Sequence, residues 1–80
     1  MELGTLVQDA QAGNRDAANS LAANYRSFVY NLALGWLKDP GEADTLAQDV
    51  LTHAYLKLNQ LQCPRAYSSW LRQITYRMAM

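Results

Sequence analysis

Asp39-Pro40-Gly41-Glu42-Ala43-Asp44-Thr45-Leu46-Ala47-Gln48-Asp49-Val50-Leu51 reads as a turn that starts a helix, and it decides the class of this chain. Asp39 supplies a capping carboxylate, Pro40 has the fixed φ that suits a first helical position, and Glu42 stands where it closes a capping box. From there Leu46, Val50, Ala54 and Leu58 recur every four residues, with Ala47, Leu51 and Tyr55 widening the apolar stripe. The polar run Asn59, Gln60, Gln62 and then Pro64 interrupts it, so the pattern predicts a helix ending near Asn59.

Toward the N-terminus, Ala17, Leu21, Tyr25, Phe28, Leu32 and Trp36 step by three or four behind a capping Asn14. They predict a central helix of about five to six turns, with Tyr25, Phe28 and Trp36 in the core. Before it, Leu3, Leu6, Val7 and Ala10 predict a first helix over Glu2–Gln11 that stops at Gly13, where a left-handed residue is tolerated. Toward the C-terminus, Tyr67, Trp70, Leu71, Ile74 and Met78 form the buried face of a last helix. That assignment leaves Arg65, Ser68, Ser69, Arg72, Gln73 and Arg77 for other contacts. No segment alternates as a half-buried strand does. The expected class is all-α: one domain over residues 1–80, folded as a compact bundle of four helices with short connections.

A chain of 80 residues buries about 60 to 65% of its unfolded surface, enough for one small core. Half of the residues are apolar, which favours a packed globule over disorder. Cys63 is the lone cysteine, so no internal disulfide forms and no cysteine cluster can hold zinc; this fits a reducing compartment, and the cytoplasm is the expected location. No stretch approaches the roughly 18 apolar residues of a membrane span, and the N-terminus lacks the basic start of a secretory signal. Membrane insertion is not expected.

Net charge is zero, but it is unevenly distributed. All seven acids (Glu2, Asp9, Asp16, Asp39, Glu42, Asp44, Asp49) precede Val50, against Arg15, Arg26 and Lys38. From Val50 onward Lys57, Arg65, Arg72, Arg77 and His53 are interleaved with Tyr55, Tyr67, Trp70 and Tyr76, without an acid. Cations attract phosphate regardless of sequence and aromatic faces stack on unpaired bases, so this half has the composition of a nucleic-acid surface. A solvated basic face over core aromatics gives the same composition, and Tyr67 and Trp70 fit either reading. On the third helix Glu42, Asp44, Gln48, Asp49 and Thr52 lie off the apolar stripe, in an acidic and amide-rich strip that suits a basic partner protein or plain solvation.

Residue types argue against catalysis: there is one His, one Cys, no glycine-rich phosphate loop and no nucleophile–base arrangement. His53 and Asp49 stand four apart on one helix, but two ligands do not make a metal centre. No cofactor is expected.

Three pieces in order resemble region 2 of the bacterial sigma-70 family of initiation factors, specifically its extracytoplasmic-function group. Ala12-Gly13-Asn14-Arg15-Asp16-Ala17 with Leu21 and Tyr25 is similar to the family's Gly-Asp-x-x-Ala turn and the helix after it. Ala43-Asp44-Thr45-Leu46-Ala47-Gln48-Asp49-Val50-Leu51 is similar to Ala-Glu-Asp-Leu-x-Gln-Glu-Val-Phe. Tyr67-Ser68-Ser69-Trp70-Leu71-Arg72-Gln73-Ile74-Thr75-Tyr76-Arg77 is similar to Phe-x-x-Trp-Leu-x-x-Ile-Ala-x-Asn.

The resemblance implies a four-helix domain that docks on the β′ clamp helices of core RNA polymerase through Asp44, Leu46, Gln48, Asp49, Thr52 and His53. It implies that the loop and last helix take up the non-template strand of the minus-ten promoter element as single-stranded DNA. The residues implied there are Asn59, Arg65, Tyr67, Ser68 and Trp70, with Arg72 and Arg77 on phosphates. An anti-sigma factor is an implied partner. Thr45, Leu51 and Arg77 replace the family's acid, aromatic and asparagine. The group's C-terminal helix-turn-helix domain is absent from these residues, which implies an excised domain. Two rival expectations remain: a sigma-like decoy that binds only an anti-sigma factor, and a plain helical interaction module.

Overall fold

The computed structural model describes residues 2–80. They form α1 (Leu3–Gln11), α2 (Arg15–Leu37), α3 (Pro40–Leu56) and α4 (Tyr67–Ala79), and the α3–α4 connection carries two single-turn 3₁₀ helices at Leu58–Gln60 and Pro64–Ala66. Among the described residues there is no strand. The class is all-α, as expected. At 1.5 Å per residue α2 alone is about 35 Å long, and this sets the long dimension of a 35 × 20 × 19 Å molecule.

The helix boundaries follow from local chemistry. At Gly13, φ is +99°; its N–H donates to Ala10 O and that of Asn14 to Asp9 O, a reciprocal pair that closes α1. Asn14 then turns from closing one helix to opening the next, its Oδ1 accepting from the N–H of Ala17 at 3.1 Å. At the head of α3 the Asp39 carboxylate accepts from the N–H of Glu42 at 2.9 Å, with Pro40 in the first turn. Lys38 ends α2 in the left-handed region, φ 62°, a conformation in which its Cβ crowds the backbone.

α3 doubles back along α2, so that Ala18 and Ala22 face the same groove as Leu51 and Tyr55. The seam is built from small side chains: Val29 and Ala33 on α2, and Ala43, Ala47, Val50 and Ala54 on α3, each no more than 1% exposed. Such residues let helix axes approach closely. α4 packs against both, burying Tyr67, Leu71, Ile74 and Thr75, and the Thr75 hydroxyl donates to Leu71 O at 2.7 Å. α1 covers α2 and the second 3₁₀ turn, where buried Gly4 admits the Arg65 stem; a Cβ there would stand 3.2 Å from Arg65 Cγ.

Four expectations need correction. α3 ends at Leu56, because Leu58–Gln60 tightens into a 3₁₀ turn ahead of Pro64. Phe28 and Trp36 are over a third exposed, since the covered face of α2 rotates along the helix from Ala17 and Leu21 to Val29 and Ala33. Tyr55 stands out from the α3 stripe, and Met78 is exposed near the open end of α4.

Candidate nucleic-acid and protein interfaces

α3 presents one surface. Gly41, Thr45, Gln48, Asp49 and Thr52 lie along its outer ridge, all exposed, with Glu42, half-buried Leu46 and exposed His53 on one flank and Asp44 on the other. Asp44 is less available than its charge suggests. Arg26 of α2 donates to Oδ1 at 3.2 Å and the Gln48 amide to Oδ2 at 3.2 Å, so both carboxylate oxygens have a partner and the amide is held in place. Among the described residues Glu42 and Asp49 make no ion pair, and Asp49 and His53 do not pair with each other. With Gly41, Thr45 and Leu46 these two acids line a shallow notch of about 360 Å³, a shape and charge suited to a basic side chain. Thr45, in place of the family's acid, donates instead to Gly41 O at 3.2 Å.

The loop after α3 and the head of α4 form the second surface. Asn59 is exposed in the first 3₁₀ turn. The loop is anchored from α1: the Gln11 amide donates to Leu58 O at 3.0 Å and to Leu61 O at 2.9 Å. Arg65 is 80% exposed at its side chain while its Nε donates to Glu2 at 3.1 Å, an exposed pair that leaves the guanidinium accessible. Ser68 hydrogen-bonds the Tyr25 hydroxyl at 2.8 Å, and Trp70 is half-buried against the core.

Tyr67 behaves differently from the rest. At 3% exposure its ring belongs to the core, packed edge-on against Tyr25 at 5.1 Å and beside Trp70 at 6.1 Å. Burial, and secondarily the Tyr25 phenol, push its hydroxyl up to about 12. A stacking role for Tyr67 is therefore excluded in this conformation; the ring supports Trp70 from below.

Farther along α4, Arg72 and Arg77 are exposed and make no ion pair among the described residues. Three contributors escaped the sequence reading. Gln11 and Tyr25 act through partners more than 40 residues away, for which no local pattern exists. Trp36 was assigned to the core by its spacing, whereas it projects over Tyr76 with centroids 5.3 Å apart. Among the described residues no three of His, Cys, Asp and Glu come together as a metal site would require, and no helix is long and apolar enough to cross a membrane.

The fold and these surfaces define a small all-α bundle, acidic on one helix and cationic with aromatics on another. Residues 21–80 match the profile of the family described as Sigma-70 region 2, and the chain belongs to that family. It is 26% identical over 68 residues to the "ECF RNA polymerase sigma factor SigW" of Bacillus subtilis, covering 85% of this chain and 36% of that protein. It is 31% identical over 70 residues to the "Probable RNA polymerase sigma factor RfaY" of Xanthomonas campestris, covering 88% of this chain and 18% of that one. The "RNA polymerase sigma-H factor" of Pseudomonas aeruginosa is 28% identical over 74 residues, covering 92% of this chain and 38% of its own length. The chain thus spans well under half the length of these curated relatives. No solved structure matches it.

Proposed function

We propose that this chain is the region 2 domain of an extracytoplasmic-function sigma factor, acting in the cytoplasm to bind core RNA polymerase and open the minus-ten element. The observation that carries this reading is the separation of two unlike surfaces on one bundle: the Glu42–Asp49 notch on α3, and α4 with its preceding loop, whose own residues include no acid and where Glu2 reaches only Arg65.

In this account α3 docks on the β′ clamp helices. Asp49 and Glu42 receive basic side chains, Gln48 is oriented by Asp44, Leu46 contributes apolar area, and Thr52 and His53 extend the contact. An anti-sigma factor competes for the same face. The loop and head of α4 hold the non-template strand, with Asn59, Arg65 and Ser68 around an extruded base, Trp70 beneath it, and Arg72 and Arg77 on phosphates. Extruding a base costs a few kcal/mol, which contacts to one strand offset. Melting then needs no covalent chemistry: binding a single strand shifts the duplex equilibrium.

The test is selection from a pool of short random single strands by core RNA polymerase with and without the 80-residue chain. A definable motif enriched only when the chain is present is the expected result. A pool identical to that from core polymerase alone would reject strand reading and favour a decoy that binds only an anti-sigma factor.

A further inference from the structure

Trp36 and Tyr76 come from different helices and meet on the surface. Trp36 is 37% exposed and Tyr76 50%, their rings edge to face at 5.3 Å and 75°. Surface apolar rings are ordinary singly, but here two adjoin the guanidiniums of Arg72 and Arg77, which make no ion pair among the described residues. Trp36, Arg72, Gln73, Tyr76 and Arg77 together line an open depression of about 350 Å³. The nearest acids in sequence to the α4 part of this site precede Val50, so nothing on α4 offsets its charge.

We infer that this depression is a second single-strand contact, in which Trp36 and Tyr76 stack an unpaired base while Arg72 and Arg77 hold the flanking phosphates. The inference rests on the strand-binding half of the proposed function and is independent of polymerase docking. Three features select nucleic acid as the occupant. The rings offer a π-face that any base can use. Arginine is planar, permanently charged and suited to phosphate oxygens. The position also lies on the helix that carries the proposed strand site, because Tyr76 is six residues beyond Trp70 on α4, about 9 Å along the helix at 1.5 Å per residue and about 120° around it at 3.6 residues per turn. A strand captured at the loop therefore reaches the depression by turning around α4. Duplex DNA offers phosphates there but no free base face, so the site discriminates for single strands.

The experiment titrates the 80-residue chain with a fluorescent mixed-sequence single strand, the matching duplex and a poly-glutamate peptide. Parent, Trp36→Ala, Trp36→Phe, Tyr76→Ala and Trp70→Ala are compared, each checked for helicity and melting. One stacked base corresponds to about 5- to 140-fold in affinity. Strand affinity should fall by that factor in Trp36→Ala and Tyr76→Ala, be largely kept in Trp36→Phe, and exceed duplex affinity. In the parent, the Trp36 indole N–H resonance should move on strand addition, which decides the question even if a variant fails to fold. An unmoved Trp36 resonance, or folded Trp36→Ala and Tyr76→Ala variants that bind like the parent, overturns the inference. Loss in Trp70→Ala alone would leave the loop reading standing and remove this one. Poly-glutamate binding with the same dependence on Trp36 would assign the depression to acidic peptides.

Discussion

Replacing Gln11 with alanine should loosen the strand-binding loop from a distance. The Gln11 amide bridges Leu58 O and Leu61 O at 3.0 and 2.9 Å, from the last turn of α1. Leu58 O keeps a second donor, the N–H of Leu61 at 3.1 Å, whereas among the described residues Leu61 O has only Gln11. Each hydrogen bond is worth about 0.5 to 1.5 kcal/mol net, and a carbonyl left partly buried without a partner lies at the upper end. The loss should be about 2 kcal/mol, which for a domain of this size lowers the melting temperature by roughly 8 to 16 °C. Thermal unfolding followed by circular dichroism measures this, with exposed Gln8→Ala as the control one turn earlier on the same helix. Native-state hydrogen exchange should show faster exchange of the Leu61 and Ala66 amides, because the 3₁₀ turns lose their tether. A Gln11→Ala melting point within about 2 °C of the Gln8→Ala control would refute the claim that this amide holds the loop.

Lys38→Gly should stabilise the chain by about 0.5 to 1 kcal/mol in urea unfolding, since it removes Cβ crowding at φ 62° while restoring some unfolded-state freedom. Tyr67 makes stability fall at alkaline pH. Its hydroxyl ionises near 10 in the unfolded chain and near 12 when folded, so between those values the unfolded state has lost a proton that the folded state keeps; Tyr67→Phe should flatten this part of the profile. Strand affinity should fall roughly 7-fold between 50 and 200 mM salt, assuming about two phosphate contacts from Arg72 and Arg77 and a slope of about 0.7 per contact; a flat response would contradict phosphate binding by these arginines.

Legibility of the fold in the sequence tracked the range of the interaction. The Asp39 cap, the Asn14 cap and the Gly13 terminator act within three or four residues, and each was readable from residue type. The buried stripes of α3 and α4 were readable, except at Tyr55 and Met78, because each packs a single face against the bundle. α2 was harder, since its buried face turns along its 23 residues, and that turn exposes Phe28 and Trp36. The end of α3 was misplaced because Leu58 keeps the four-residue apolar rhythm although its backbone has already tightened into a 3₁₀ turn. At the surfaces, charge was legible but pairing was not. Asp44 is tied to Arg26 across 18 positions and Arg65 to Glu2 across 63, which leaves Glu42 and Asp49 as the acids of α3 without an ion pair among the described residues. Aromatic roles also depended on tertiary context: Tyr67 and Trp70 share a sequence neighbourhood, yet only one is buried.

The most direct test of the account is capture of purified bacterial core RNA polymerase by the 80-residue chain, comparing the parent with a folded Gln48→Ala, Asp49→Lys variant. Both positions are exposed, so the fold should survive the change. The account predicts retention of polymerase by the parent and loss in the variant, because the reversed charge at Asp49 repels the basic partner that the notch accepts. A folded parent that retains no polymerase, or a variant that retains as much as the parent, would contradict docking through α3.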